Sequence, residues 1–183
     1  MSAPPDAPVA AVFGSARLAP EDAEYAEARL LGSLLARAGW TVCTGGYDGA
    51  MAAASAGAAE AGGHVVGVTV AGWSARRAAN PWVREERAAE GLLARVEELL
   101  RSDAWVAVAG GVGTLSEVPL AWNLLQTRDV RPRPLVVVGA RWAALLPALR
   151  AHLVIGDADL ALVRHVPHAA AAARALGAPA ARR

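Results

Sequence analysis

Short apolar segments alternate with helical patterns along most of this chain, and this alternation is the strongest constraint on its fold. Five segments have the composition of buried strands, and a weaker sixth follows near the C-terminus: Val9–Phe13, Trp40–Thr44, His64–Val70, Ala104–Ala109, Leu135–Gly139 and Leu160–Val166. The helical patterns cover Pro20–Ala38, Gly49–Ala61, Arg84–Arg101, Thr114–Thr127, Trp142–Ala151 and Pro167–Leu176. Strands and helices that alternate in this way are typical of parallel βαβ units.

The pattern predicts an α/β fold of Rossmann-like, doubly wound type, with a mostly parallel sheet and helices on both faces. Because crossovers between parallel strands are right-handed, we expect the strand order 3-2-1-4-5-6. The 183 residues fit a single nucleotide-binding domain, in which residues 1–8 and 177–183 are expected to be flexible tails. We expect Gly72–Pro81 to be a long loop between a strand and a helix, and such loops are often functional.

Composition and charge argue against several classes of partner. The formal net charge is +1 and the arginines are spread along the chain, which predicts no nucleic-acid partner. The segment Met1–Pro8 lacks the features of a signal peptide, and no stretch approaches the ~20 uncharged apolar residues of a membrane span. Cys43 is the only cysteine, so an internal disulfide and a cysteine zinc cluster are excluded. We therefore expect a cytoplasmic protein without a membrane partner.

The chain contains no lysine, since all 18 basic residues are arginine. A Schiff base to pyridoxal phosphate and a P-loop lysine are therefore both excluded.

Three strand ends run into loops with special residues, and the carboxyl edge to which they belong is where open α/β sheets bind ligands. The candidate ligand-binding residues are Gly14, Ser15 and Arg17 in the first loop, Gly45, Gly46 and Gly49 in the second, and Gly110, Gly111, Gly113 and Thr114 in the third. Glycine lets a ligand approach the backbone, and the free N–H groups at a helix N-terminus attract anions. One such loop is commonly only a turn, but three on one edge predict a phosphate site. No loop has the spacing of a dinucleotide fingerprint.

Three further polar features each have a structural and a functional interpretation. Glu117 either closes a capping box with Thr114 or acts on a ligand. Arg95 lies just outside the apolar stripe of its helix, and it either reaches over the sheet edge or is a solvated side chain with a packed stem. His165 and His168 lack a third ligand, so they are expected to be surface histidines and no metal site is predicted.

The motifs GSAR, TGGYDGAM and SDAWVAVAGGVGTLSE, in this order, resemble the LOG (Lonely Guy) family, whose members are often mislabelled lysine decarboxylases. The resemblance covers about residues 9–139 and adds Met51 to the candidate binding residues. It implies a Rossmann-like fold, a homodimer and, in characterised members, a phosphoribohydrolase that acts on nucleoside 5′-monophosphates. Similar proteins also include carriers of molybdenum cofactor, a pterin with a phosphate. The absence of lysine independently rules out the mislabelled activity.

The chain departs from the family pattern at three places. Ala109 replaces the proline of the usual PGGxGTxxE element, and Ala52 replaces the glutamate that usually follows Met51. Hydrolytic members carry an Arg-Lys or similar pair in the helix before SDA. Counting back from Asp103 places Ala94 at the arginine position and Arg95 at the lysine position.

The resemblance predicts a hydrolase that cleaves the N-glycosidic bond of a nucleoside 5′-monophosphate, without a cofactor. In this hypothesis the third loop and Ser15 hold the phosphate, and Glu117 binds the ribose hydroxyls and stabilises an oxocarbenium-like transition state. Arg95 then helps to bind phosphate or to activate the departing base. The alternative is a carrier that binds a phosphorylated nucleotide or pterin, such as molybdenum cofactor, without turnover.

Overall fold

A computed structural model describes residues 7–73 and 78–179 of the chain, and this part forms one parallel sheet with helices on both faces. The described residues contain seven strands: β1 (Val9–Phe13), β2 (Thr41–Thr44), β3 (Val65–Val70), β4 (Glu85–Ala89), β5 (Ala104–Ala107), β6 (Leu135–Val138) and β7 (Arg164–Val166). They also contain the helices α1 (Ala23–Arg37), α2 (Ala50–Glu60), α3 (Leu92–Leu100), α4 (Val112–Thr127), α5 (Ala140–His152), α6 (Asp157–Leu160) and α7 (Ala169–Leu176). The predicted fold class is confirmed.

The strand order is β4-β3-β2-β1-β5-β6-β7, and all neighbouring strands are parallel. The six strands predicted from the sequence have the predicted relative order. The direction of winding changes between β1 and β5, which is the switch point where open α/β sheets form a ligand crevice.

Strand β4 corrects the prediction that a helix covers Arg84–Arg101. Residues 85–89 instead pair in register with β3, and the helix begins only at Leu92. Glu, Arg and Ala favour helices intrinsically, but backbone pairing with a buried neighbouring strand overrides a weak propensity. Gly72–Pro81 therefore connects two strands, and not a strand and a helix; residues 74–77 of this predicted loop lie outside the described residues.

Side chains alternate between two cores, one on each face of the sheet. Ala10 and Val12 pack on one face beneath α1, α2 and α7, whereas Ala11 and Phe13 pack on the other beneath α3, α4 and α5. Small residues allow α1 and α2 to approach closely, since a Cβ on Gly32 would meet the carbonyl oxygen of Ala54. The cores thus fix the strands whose carboxyl ends form the site.

Several predicted boundaries shift at the C-terminal side. The predicted strand Leu160–Val166 is confined to Arg164–Val166, because residues 157–160 form a helical turn. In the predicted C-terminal tail, the Gly177 carbonyl accepts a 2.9 Å hydrogen bond from the indole of Trp40, while residues 1–6 and 180–183 lie outside the description. Across the part of the chain that the structure describes, none of the helices is both long and apolar enough for a membrane crossing.

Candidate functional site

The three glycine-containing loops meet at the carboxyl edge of β2, β1 and β5, which are neighbours in the sheet. The Ser15 amide donates a 3.0 Å hydrogen bond to the Ala109 carbonyl, and the Ser15 carbonyl accepts one of 2.8 Å from the Ala50 amide. The structure therefore joins the loops after β1 and β5 to the start of α2, and it brings the predicted binding residues to one edge.

The loop after β1 packs its glycine inside the protein. A Cβ on Gly14 would lie 2.5 Å from the Ala50 Cβ and 2.7 Å from the Val108 side chain. The Ser15 hydroxyl accepts a 3.1 Å hydrogen bond from the Arg17 amide, and Arg17 is exposed. Gly14 thus serves the fold, whereas Arg17 is placed at the surface of the loop.

The loop after β2 is also filled from within. Gly46 and Gly49 have positive φ angles of 77° and 63°, which disfavour any residue with a Cβ. A Cβ on Gly45 would collide with the Arg95 guanidinium, and one on Gly49 with the Ser15 carbonyl. These glycines are therefore required by backbone geometry and internal packing.

The loop after β5 is different, because two of its glycines face open space. Gly111 and Gly113 have no positive φ, and a Cβ built on either one would meet nothing within 4 Å in the described residues beyond its chain neighbours and, for Gly113, the adjacent backbone of α4. Gly110, in contrast, packs against the Thr114 side chain. Neither Gly111 nor Gly113 is needed by the fold itself.

Thr114 adds a buried polar group to this loop. Its side chain is in the first turn of α4 and the residue is only 2% exposed. Its hydroxyl has no hydrogen-bond partner within the described residues. An orphaned buried hydroxyl is costly unless a ligand or water satisfies it. The first N–H groups of a helix also lack intrahelical partners, so several donors converge here.

The capping-box interpretation of Glu117 is wrong. Helix α4 begins at Val112 with Gly111 as its N-cap, so Glu117 is the sixth helical residue and not the third. The earlier start carries the Thr114–Glu117 spacing into the helix interior, where a carboxylate cannot reach the N-cap amide. The Glu117 side chain instead lies in the interior and is 8% exposed.

The Arg95 side chain is buried and binds main-chain carbonyl groups, so its interpretation as a solvated side chain is also wrong. Its Nε donates a 2.8 Å hydrogen bond to the Val68 carbonyl, and Nη2 donates one of 3.0 Å to the Gly45 carbonyl. Met51 lies beside it, with Sδ 3.7 Å from Nη2. Ala94, at the position counted as the family arginine, is exposed. Arg95 is thus the basic residue that reaches the site.

Arg95 and Glu117 face each other across the site. The Arg95 Nη1 atom lies 4.0 Å from the Glu117 carboxylate. Burial raises the pKa of Glu117 to about 7, against the attraction of Arg95, which lowers it. Burial also lowers the pKa of Arg95, although Glu117 partly offsets this effect. Desolvation therefore outweighs the ion pair, and Glu117 gains or loses its proton near neutral pH.

Two residues of the site carried no functional prediction from the sequence. The Asn80 side-chain amide donates hydrogen bonds to the carbonyls of Gly46 at 3.1 Å and Tyr47 at 3.0 Å, and so fixes the loop after β2. The Tyr47 hydroxyl accepts a 2.8 Å hydrogen bond from the Val70 amide, and the Arg95 guanidinium carbon lies 5.5 Å from the Tyr47 ring centroid. Tyr47 is part of the TGGYDGAM motif, so the sequence offered a signal for it. Asn80 contacts Gly46 and Tyr47 from more than 30 residues away, and no local sequence pattern marks such a contact.

The histidines and the cysteine have structural surroundings. His165 bonds to the Gly139 carbonyl, and His168 caps α7 by accepting a hydrogen bond from Ala171. Within residues 7–73 and 78–179, no cluster of three or more His, Cys, Asp or Glu side chains has metal-binding geometry. Burial raises the pKa of Cys43 to about 12, which keeps its thiol protonated and unreactive.

The fold and the loop edge define the chain as a Rossmann-like protein of the LOG type, as the sequence motifs predict. More specifically, the chain belongs to the SLOG cluster4 family, whose model matches residues 7–127. No curated protein matches the chain significantly.

Solved structures give three informative comparisons. The molybdenum cofactor carrier protein from Chlamydomonas reinhardtii is 28% identical with a TM-score of 0.71, over 92% of this chain and 95% of that chain. The molybdenum cofactor binding protein from the phototrophic bacterium Rippkaea orientalis is 23% identical with a TM-score of 0.74, over 92% and 94% of the two chains. DNA processing protein A from Helicobacter pylori is 16% identical with a TM-score of 0.61, over 93% of this chain and 81% of that chain. The last two comparisons show a shared fold.

Proposed function

We propose that this protein binds a phosphate-bearing, nucleotide-like or pterin-type small molecule and acts as a carrier without turnover. The observation that carries the proposal is the loop after β5. Its Gly111 and Gly113 face open space, and internal packing does not require a glycine at either position. They lie beside Thr114, whose hydroxyl has no hydrogen-bond partner within the described residues.

The chemistry of this loop suits a phosphate group. Backbone N–H groups and the positive end of the helix dipole favour an anion at the start of α4. The Thr114 hydroxyl supplies a further donor, and the lack of side chains at Gly111 and Gly113 leaves room for the phosphate oxygens. Ser15 and the exposed Arg17, on the neighbouring loop, complete the proposed phosphate site.

Arg95 favours the carrier over the hydrolase. Two of its guanidinium nitrogens already donate to main-chain carbonyls, and the third faces Glu117. A guanidinium that is held in this way stabilises the loop, and it has little capacity left to bind phosphate or to activate a leaving base. The likeness to the Chlamydomonas carrier protein, over nearly the full length of both chains, supports the same proposal.

The second candidate remains a nucleoside 5′-monophosphate phosphoribohydrolase, and the position of Glu117 favours it. A buried carboxyl group that does not cap its helix is available for hydrogen bonds to ribose hydroxyls. It can also stabilise positive charge that develops on the sugar in an oxocarbenium-like transition state.

Incubation with AMP, other nucleoside monophosphates and neopterin monophosphate separates the two candidates. A carrier raises its melting temperature with at least one phosphate compound and leaves that compound intact on chromatography. A hydrolase releases free base, and Glu117→Gln then lowers turnover by at least ~100-fold while it keeps binding. In either case Gly113→Val is expected to abolish binding. Stabilisation by adenosine as strong as that by AMP would contradict a phosphate anchor.

We also propose a homodimer. The support is the family resemblance together with exposed apolar side chains on α4, where Leu115 and Leu120 are 47% and 45% exposed. Light scattering at micromolar concentration tests it, and a monomer would refute it. The expectation that nucleic acid is not a partner stays a prediction.

A further inference from the structure

Two tryptophans of this chain are exposed, whereas the other four are buried, and one of the exposed two, Trp73, follows the carboxyl end of β3. Trp73 is 37% exposed and Trp82 is 39% exposed. The buried four are Trp40, Trp105, Trp122 and Trp142. Both exposed residues lie on the connection between β3 and β4. Single exposed apolar residues are common on protein surfaces, so exposure alone indicates nothing.

Trp73 differs from Trp82 in what it touches. Its indole ring lies on the Tyr47 ring, with centroids 6.0 Å apart and planes tilted by 33°. The Arg95 guanidinium also lies over the Tyr47 ring, with its central carbon 5.5 Å from the ring centroid. Arg95, Tyr47 and Trp73 therefore form a connected row of planar groups.

This row leads from the interior of the proposed site to its surface. Arg95 faces Glu117 on α4, the helix that follows the loop after β5, and Trp73 ends the short 3-10 turn that follows β3. Tyr47 is 2% exposed, so within the row Trp73 carries the exposed aromatic surface. Tyr47, in the middle of the row, is held at both ends, because the Asn80 side chain donates a hydrogen bond to its carbonyl and the Val70 amide donates one to its hydroxyl.

The position along the sheet also fits an elongated ligand. Strand β3 is separated from β5 by β2 and β1, which at about 4.8 Å per strand gives roughly 14 Å between the two strand ends. Side chains at both ends shorten the gap that a ligand must span. A molecule with its phosphate at the start of α4 can therefore place the opposite end near Trp73.

We propose that Trp73 is a specificity-determining residue of this site, and that it stacks against a planar heteroaromatic ring joined to the phosphate. The ligand class is thus a phosphorylated purine or pterin, and not a simple sugar phosphate. This inference rests on the proposed function, since it places the ring of the same ligand. Aromatic side chains stack on such rings with little dependence on their ring substituents, because every base has a π face.

The test compares ligands with and without the ring by isothermal titration calorimetry. AMP and neopterin monophosphate carry a planar ring, and ribose 5-phosphate does not. In the wild-type protein at least one ring compound is expected to bind about 10-fold more tightly than ribose 5-phosphate. Trp73→Leu is expected to remove this preference and Trp73→Phe to retain most of it. Trp82→Leu is the matched control, with a similar exposure on the same connection, and should change none of the three affinities.

The outcomes separate this inference from the proposed function. Retained binding of ribose 5-phosphate by Trp73→Leu shows that the variant keeps a folded site. An equal loss for all three compounds means that Trp73 only supports the fold, and it overturns the inference. Equal wild-type affinities for ring and ringless compounds overturn the inference but leave the phosphate site. If no compound binds the wild-type protein, the proposed function fails and this inference fails with it.

Discussion

The glycines after β2 and those after β5 are alike in the sequence, but the structure uses them for different purposes. Gly46 and Gly49 have positive φ, and Gly45 leaves space for the Arg95 side chain. Gly111 and Gly113 have ordinary backbone angles and face open space. A glycine that the fold requires says nothing about a ligand, whereas Gly111 and Gly113 leave space beside the orphaned Thr114 hydroxyl at the start of α4.

The largest expected effect is on the free energy of unfolding, and it differs between the loop after β2 and the loop after β5. Gly49→Ala combines positive φ with a collision against the Ser15 carbonyl, and is expected to lower the free energy of unfolding by about 4 kcal/mol. Gly113→Ala is expected to change it by no more than about 1 kcal/mol, and to raise it, because alanine is the better helix former. Urea unfolding followed by circular dichroism measures both variants. Equal losses in the two would remove the distinction between the loops.

The next effect concerns Arg95, which binds the Gly45 carbonyl in the loop after β2 and faces Glu117 on α4. The pKa of Glu117 is raised from an ordinary value of 4.5 to about 7, so the folded state binds more protons than the unfolded state between these values. The contribution of Glu117 to the free energy of unfolding is therefore largest below about pH 4.5, and about 3 kcal/mol of it is lost as the pH rises through about 7.

Glu117→Gln removes this titration. Its free energy of unfolding, relative to the wild type, is expected to rise with pH over the same interval. Glu97→Gln is the control, because Glu97 pairs with Arg101 on the surface and its side chain is 68% exposed. Parallel stability profiles for the wild type and Glu117→Gln would show that Glu117 has no raised pKa.

The smallest stability effect comes from two buried threonines, one in each region. Thr114 has an orphaned hydroxyl within the described residues, so Thr114→Val is expected to raise the free energy of unfolding by less than about 1 kcal/mol. The Thr44 hydroxyl accepts a 3.1 Å hydrogen bond from the Gly46 amide and lies 3.2 Å from the Ser55 hydroxyl, so Thr44→Val should lower it by about 1–3 kcal/mol.

The two threonine variants should have the opposite order of effects on ligand binding, with the larger effect at Thr114. Thr114→Val is expected to lower the affinity for AMP about 10-fold, and Thr44→Val is expected to leave this affinity unchanged. Calorimetric titration of both variants checks this. A loss of affinity in Thr44→Val alone would move the proposed site to the loop after β2.

The parts of the fold that the sequence predicts correctly are those with strong apolar patterns. The first five predicted strands contain buried Val, Ala and Leu, whose hydrophobic runs mark interior strands directly, whereas the weaker sixth was predicted with wrong bounds. Strand β4 was not predicted, because EERAA has helix-forming residues and an edge strand needs no buried face. Its pairing with β3 is a tertiary interaction that no local propensity encodes.

The site was predicted in outline and not in detail. Glycine-rich strand ends correctly indicate which loops meet at one edge, but they do not separate glycines used for packing from those that face open space. The role of Arg95 depends on contacts with Val68 and Gly45, which are 27 and 50 residues away in the chain. The helix position of Glu117 was predicted wrongly, because α4 begins two residues before Thr114 and its N-cap, Gly111, has no side chain to mark the start.

The phosphate site at the loop after β5 is tested most directly by NMR, which follows the backbone amide resonances of the two loops during titration with ribose 5-phosphate. The largest shifts are expected at Gly111, Gly113 and Thr114, while the amides of Gly45 and Gly46 are expected to change little. The largest shifts at Gly45 and Gly46, with the loop after β5 unchanged, would contradict the claim that the glycines facing open space hold the phosphate.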